Sequence, residues 1–258
     1  MVLAILQARF SSSRLPGKVL KKILGKPMLL HQIERLSNSK WIDKLVVATS
    51  DDTSDDMVEK MCLDNNVEVY RGDLNNVLDR FYRCAKYYNP KHIVRLTGDC
   101  PLIDAEIVDN VIQYHLKMES DYTSNINPPT YPDGLDVEVM KFSALEKAHK
   151  FARLPSELEH VTPYIRNTSG LFKQYNLKYK VNLSNHRWTV DEPEDFEFVQ
   201  EVYRKFRYEK NHFSMQDILD LLERNPYIQE KNYHILRNEG SLRSYKEDKI
   251  FLQGEDEV

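Results

Sequence analysis

Short apolar runs alternate with amphipathic stretches over the first half of the chain. The run VLAIL (residues 2–6) has few polar atoms and leads into turn formers, so it predicts a short buried strand. Residues 27–36 predict a helix. Pro27 suits a first-turn position, where its missing N–H costs nothing, and Met28, Leu29, Ile33 and Leu36 form one apolar stripe. KLVVATS (Lys44–Ser50) predicts a second buried strand and residues 53–63 a helix; VEVY (67–70) predicts a third strand. Residues 75–88 predict an amphipathic helix with Val77, Leu78, Phe81, Tyr82 and Ala85 on its apolar side. HIVRLTG (92–98) reads as a fourth strand and residues 105–116 as another helix. Strand and helix alternating at this rhythm mean βαβ units and a parallel sheet. Ligands bind beyond the carboxyl ends of such strands. The loop after the first strand and the loop after the fourth, Gly98-Asp99-Cys100-Pro101, should therefore face one crevice.

Past residue 120 the alternation loosens. LDVEVM (135–140) alternates as a strand does, and residues 143–151 and 157–166 have helical spacing. LFKQYNLKYKV (171–181) alternates again and is a candidate for crossing over a partner subunit. Residues 193–206 and 214–224 predict two further helices. From residue 238 the chain is polar and charged, with three acids in its last five residues, which predicts a mobile tail.

Composition narrows the class. A chain of 258 residues, 41% hydrophobic and 29% charged, is long enough for one large α/β domain with a small appendage. Its formal net charge of −4 argues against general nucleic-acid binding, which needs a basic stripe. Three cysteines (Cys62, Cys84 and Cys100), without CxxC spacing, give neither a disulfide framework nor a zinc site and suit the cytoplasm. The first apolar run breaks at Gln7 and Arg9, so it predicts neither a signal peptide nor a membrane span.

Against that acidic balance, QARFSSSRLPGKVLKKILGKP (7–27) holds six basic residues, and no acid appears before Glu34. A loop leaving a buried strand exposes backbone N–H groups, and its small residues allow close approach by a phosphate. Ser11, Ser12 and Ser13 add hydroxyl donors; Arg9, Arg14 and Lys18 add charge, arginine with a two-pronged grip. The combination suits a triphosphate, although neither a Walker loop nor GxGxxG is present. A solvated basic loop is the alternative reading, and Lys21, Lys22 and Lys26 fit it better.

Concentrated phosphate charge calls for Mg²⁺, held by one or two carboxylates with water completing the shell. LTGDCPLID offers Asp99 directly after a buried strand, while Asp104 reads as a helix N-cap. RWTVDEPEDF offers Asp191, with Glu194 and Asp195 as first-turn acids complementing the following helix. Asp51, Asp52, Asp55 and Asp56 surround a helix start and read as caps. Asp136 and Glu138 fall on one strand face, suited to a polar substrate or simply solvated.

Taken in order, ILQARFSSSRLPGKVL, GKPML, VVATS, RGDLNNVLDRF, VRLTGDCPLID, DYTSN, GLDVEV, EHVTPYI and RWTVDEPEDF resemble the sugar-acid cytidylyltransferases, which make CMP-activated Kdo and CMP-sialic acids, and most closely their SpsF-like branch. The resemblance spans roughly residues 1–205, leaving 206–258 as a C-terminal helical extension and tail. It implies a three-layer α/β/α nucleotidyltransferase fold, Rossmann-like, with a mixed and mainly parallel sheet. It also implies the reaction CTP + acceptor → CMP-acceptor + pyrophosphate, with Mg²⁺ as cofactor, no membrane association, and a homodimer. Carried over by position, Ala8, Arg9, Ser12, Arg14 and Lys18 bind the nucleotide, with Arg71, Asp79, Arg80 and Thr97 in the segments matching its pocket. Arg9, Arg14, Lys18 and Asp99 carry the catalysis, and Asp99 and Asp191 hold the metal. Asp136, Glu138, His160 and Tyr164 are the acceptor candidates, His160 having a structural role as its alternative. Thr97 stands where the Kdo enzymes carry Gln. Two rival readings are a metal-dependent glycosyltransferase, whose DxD pair Pro101 interrupts, and a non-catalytic nucleotide-binding protein of a glycan pathway.

Overall fold

A computed structural model describes residues 1–207, 212–237 and 239–255. Four parallel strands form its centre: β1 (Val2–Gln7) lies between β4 (Lys44–Ser50) and β6 (His92–Thr97), and β5 (Val69–Gly72) flanks β4. A two-residue hairpin, β2 (Lys22–Ile23) and β3 (Lys26–Pro27), closes the opening loop before α1 (Met28–Leu36). The helices α2 (Asp56–Asp64), α3 (Val77–Tyr88) and α4 (Ala105–Met118) make the crossovers. Beyond β6 the sheet turns mixed. The strand β8 (Glu138–Lys141) is antiparallel to both β6 and β7 (Tyr122–Ser124), and β9 (Gln174–Asn176) forms the edge on β7.

Alternation in β1 builds the layers. Val2, Ala4 and Leu6 pack with α1, α2 and α4 on one face. Leu3 and Ile5 pack with α3 and α5 (Phe142–Phe151) on the other. A strand covered on both faces has no polar alternation to display, which is why VLAIL reads as a continuous run. The sheet with helices on both faces is the three-layer α/β/α arrangement expected above. A third cluster sets Trp188, Val190 and Leu135 against α8 (Pro193–Phe206) and α9 (Met215–Arg224). Residues past 206 thus share a core with the segments before them.

Several boundaries move for physical reasons. β5 starts two residues later than VEVY suggests, because Asn66 adopts φ 56° and the Val67 amide turns back to the Cys62 carbonyl. The single helix expected over 157–166 is two, α6 (Pro155–His160) and α7 (Pro163–Asn167). Pro163 supplies no amide and disfavours helix at the residue before it. Of the 171–181 run, only Gln174–Asn176 pairs in the sheet. The expected mobile tail is corrected for residues 239–255, which form α10 (Glu239–Glu255). Asp248 on α10 accepts from the Ser156 amide (2.9 Å) and hydroxyl (2.6 Å) on α6. Polar composition hid this docking, since charged contacts rather than an apolar stripe secure it. Residues 256–258 of the expected tail lie outside the described residues.

The run 186–190 is threaded between two loops. The Trp188 amide donates to the Asp133 carbonyl (2.7 Å), and the Val190 amide to the Asp99 carbonyl (2.8 Å). Gly134 makes this possible: its φ is 102°, and a Cβ there would sit 2.6 Å from the Thr189 nitrogen. Gly134→Ala is therefore expected to lower stability by at least about 2 kcal/mol through left-handed strain plus backbone collision. Urea unfolding followed by circular dichroism measures the loss.

Candidate active site

The Lys18 side chain, a Cα past the left-handed Gly17 (φ 67°), is the convergence point. A Cβ at Gly17 would meet the Phe10 ring at 2.8 Å, and the Gly17 amide closes the loop on the Phe10 carbonyl (3.0 Å). The loop is pinned from behind by Asp55, which is fully buried. It accepts from the Phe10 amide (2.6 Å) and the Ser50 amide (2.9 Å). Among the acids around α2, Asp52 caps as expected, accepting from the Ser54 amide. Asp55 has the larger task of fixing the opening loop to β4.

From that loop the Lys18 ammonium donates to Asp99 (3.2 Å), Asp191 (2.8 Å) and the Val190 carbonyl (2.8 Å). Arg14 reaches the second oxygen of Asp191 (3.1 Å) and Glu192 (3.2 Å). The two carboxylates expected to meet only in the fold do meet, on one cation. Burial pulls the Lys18 pKa down, but the charges of Asp99 and Asp191 outweigh it and the net shift is upward. Burial likewise pushes Asp99 up, and Lys18 with hydrogen bonds from Thr97 and Cys100 brings it to about 2.

Asp191 is positioned by the turn that starts α8. The Asp195 carboxylate is fully buried. It takes both the Asp191 and Glu192 amides (2.9 Å each) and a two-pronged Arg187 contact (2.8 Å twice). It complements the start of α8 as its first-turn position implies, and the Arg187 contact makes it an internal anchor as well. Arg187 also faces Asp133 (3.5 Å). Arg237, from the C-terminal extension, pairs with Asp136 (2.6 Å). Burial, reinforced by Asp136, pushes Asp133 up to about 7 against the pull of Arg237 and Arg187. Asp136 is raised mainly by burial, with Arg237 opposing. Sequence reading missed Arg187, Glu192 and Arg237. The first two flank Asp191 within RWTVDEP, a local signal; Arg237 gave none.

The other expected residues divide. Ala8 is buried beneath Gly98, whose Cβ would come within 2.9 Å of the alanine methyl; the close fit sets the Asp99 loop on β1. Thr97 lies 3.5 Å from the Cys100 sulfur. Ser12 accepts from the Leu15 amide at 3.4 Å. Arg9 is half-buried beside Arg80. Arg80 is fully buried, and its Nε and Nη2 meet no partner among the described residues. Burial and the Arg9 charge lower its pKa to about 10. Arg71 is occupied by Asp56 and Glu59 (2.7 Å each) and by the Ser50 and Asp52 carbonyls, tying β5 to α2. Asp79 binds Arg83 (2.6 Å) and His149 (2.8 Å), joining α3 to α5. Glu138 is buried between Arg95, Tyr122 and Thr162. His160 contacts Ser244 of α10 (2.9 Å), and Tyr164 packs edge-on against Phe172.

The carboxyl ends of the parallel strands thus gather a basic loop and two aspartates, and comparison with known proteins gives the class of the chain. Residues 3–254 match the family model described as cytidylyltransferase. The Bacillus subtilis (strain 168) spore coat polysaccharide biosynthesis protein SpsF is 37% identical over 232 residues, 87% of this chain and 95% of that one. The 3-deoxy-manno-octulosonate cytidylyltransferase of Geobacter sulfurreducens is 37% identical over 111 residues, 43% of this chain and 44% of that one. The solved structure of a cytidylyltransferase from Leptospira borgpetersenii superposes with TM-score 0.85 at 34% identity, covering 90% of this chain and 97% of that one. The chain belongs to the cytidylyltransferase family, on its SpsF-like branch, and its activity is CTP-dependent.

Because Asp99 sits near 2 in the folded protein against an ordinary 3.8, its contribution to stability is complete above the ordinary value. It is lost as pH falls toward 2 and amounts to roughly 2 kcal/mol. Lys18→Met removes the opposing charge and leaves burial dominant, so the Asp99 carboxyl should titrate above 3.8. The Asp99 contribution then changes sign: the variant should be less stable than the parent at neutral pH and should recover stability as pH falls through the raised value, whereas the parent loses stability toward pH 2. Urea unfolding followed by tryptophan fluorescence across a pH series measures both.

Proposed function

We propose that this protein transfers CMP from CTP to a small acidic sugar in the assembly of a surface polysaccharide or related glycoconjugate. The observation that carries the reading is the meeting of Asp99 and Asp191 on Lys18, inside a basic loop at the carboxyl end of β1. SpsF and the 3-deoxy-manno-octulosonate enzyme, among the relatives, support the acceptor class.

In this reading an acceptor hydroxyl oxygen forms a bond to the α-phosphorus of CTP as the bond to the β-phosphate bridging oxygen breaks. Pyrophosphate leaves with that electron pair, and the hydroxyl proton passes to solvent. Lys18, Arg14 and Arg9 offset charge growing on the leaving group. The loop's backbone and Ser12 hold the phosphates in line, and Arg80 and Thr97 border the nucleoside. Asp136, Glu138, His160 and Tyr164 form the acceptor side.

The residues present fit Mg²⁺. Two carboxylate oxygens from separate loops approach one point, now met by an ammonium. Among the described residues no set of three or more His, Cys, Asp or Glu side chains could hold a metal alone. A partial protein shell completed by phosphate and water oxygens is the usual arrangement for this ion. Asp99 and Asp191 would hold it, and when bound it would neutralise phosphate charge and polarise the phosphoryl oxygens.

We further propose a cytoplasmic homodimer: no helix among the described residues is long and apolar enough to cross a membrane, and the family resemblance supports the dimer. Asp99→Asn should lower turnover at least about a hundredfold, the loss typical of removing one electrostatic stabiliser, while the fold survives. Pyrophosphate release from CTP with acidic sugars is the measurement. Near-normal turnover would remove Asp99 from the chemistry, and no release with any acidic sugar would favour a non-catalytic binding protein.

A further inference from the structure

A second charged cluster lies on the α3/α5 side of the sheet, apart from Lys18. Arg95 on β6 stands opposite Glu138 on β8 in the strand register. Its guanidinium donates to one Glu138 oxygen. The other Glu138 oxygen already accepts from the Tyr122 hydroxyl and from Thr162 (2.7 Å). Arg166 on α7 faces the same carboxylate and Tyr122, and bonds the Tyr245 side chain of α10 while keeping its Nε unused. Glu138 is thus fully engaged by neighbours, yet the arginines are not. The Nε atoms of Arg95 and Arg166 are both buried with no partner among the described residues.

Two guanidinium groups against one carboxylate leave one positive charge in excess. Of the other titratable groups here, Tyr245 bonds Arg166, and His160 is disfavoured as a cation: burial lowers its pKa, Glu159 opposes, and Arg95 and Arg166 lower it further. Buried N–H donors without acceptors and an uncompensated charge are each unfavourable. A bound anion relieves both at once. The excess of a single charge suits a monoanion. A dianionic phosphate would bring surplus negative charge beside Glu138. Planar forked donors match a planar carboxylate.

The position is also suitable. Asp136 precedes Glu138 by two residues and feels the charge of both Glu138 and Asp99. Asp136 and Glu138, two residues apart at the start of β8, each carry an arginine partner, Arg237 and Arg95.

We propose that Arg95 and Arg166 are the subsite for the carboxylate of the acceptor sugar acid, with Glu138 holding the pair in place. This rests on the acidic-acceptor reading above, and supplies the group that makes acidity a requirement. The two arginines are specificity-determining, while Glu138 acts through them as a positioning residue. Glu138 was expected to touch the acceptor; here the contact passes to its arginine partners.

The test follows pyrophosphate release with saturating CTP and Mg²⁺. The acceptors are 3-deoxy-manno-octulosonate, a sialic acid, and the methyl ester of each. Arg166→Gln leaves the Arg95–Glu138 pair intact, so folding should be retained, and thermal unfolding checks this. Acids should react and esters should not. Arg166→Gln should raise the acceptor KM at least about tenfold while KM for CTP stays within about twofold, a loss expected for a hydrogen bond to a charged group. Arg166→Lys, which keeps the charge, should recover part of the loss, and it carries the test if Arg166→Gln does not fold. Calorimetric titration of the same acids, and of inorganic phosphate, into the full chain without Mg²⁺ gives a readout independent of turnover. Acids should bind the parent and lose binding in Arg166→Gln. Esters used as well as acids, an unchanged acceptor KM, or inorganic phosphate binding tighter than the acids would each overturn the proposal. If CTP binds but no acid binds or reacts, the carboxylate subsite falls and the nucleotide reading stands. If CTP itself does not bind, the nucleotide reading is what fails.

Discussion

One ammonium group holds the site together. Lys18 contacts carboxylates 81 and 173 residues further along the chain, so three loops from distant parts of the sequence meet on it. An ammonium taken largely out of water needs its charge answered. Here two carboxylates and a carbonyl answer it, and each sits on a turn with its own fixation. Asp55 pins the opening loop, the Gly98–Ala8 approach sets the Asp99 turn, and Asp195 secures the turn bearing Asp191.

Opposite charges are interleaved throughout the interior on this side of the sheet. Arg187 lies between Asp133, Asp191 and Asp195; Arg237 lies between Asp133 and Asp136. Burial alone would drive these carboxyls toward their neutral forms. Asp195, gripped by Arg187 and two backbone amides, stays below the ordinary carboxylate range, whereas Asp133 and Asp136 are raised despite Arg187 and Arg237. The C-terminal segments belong to this balance: Arg237 enters the acidic cluster, Asn232 bonds Asp195, and α10 caps α6. The charge pairs around Asp191 and Asp136 thus draw on residues as far along the chain as Arg237.

Much of the fold was legible. β1, β4, β6 and α8 follow directly from unbroken apolar runs or a clear helical stripe, because a strand covered on both faces carries its own signal. β7 was not legible: three residues of a mixed sheet have too little pattern. α10 was hidden because it docks by serine, aspartate and histidine contacts, which composition cannot separate from a solvated tail. At the site, Lys18, Asp99 and Asp191 were legible as residue types following strands. The contacts of Arg71 and Asp79 with α2 and α5 were not legible, since they join residues of separate elements. Arg95 and Arg166 went unnoticed because an arginine inside a strand or a short helix resembles any surface arginine until burial and missing partners are known.

The sequence by itself determined the parallel α/β core, the anion-seeking character of the opening loop, and which carboxylates leave the ends of strand-like runs. These are local properties, set by side-chain period and by residues within a few positions of one another. Tertiary structure alone decided which charges pair. Whether Asp195 faces water or Arg187, whether Glu138 faces solvent or sits between Arg95 and Thr162, and whether Arg237 reaches the site at all depend on contacts spanning from 8 to 101 residues. Electrostatic energy varies with distance and burial, and neither quantity exists until the chain has folded.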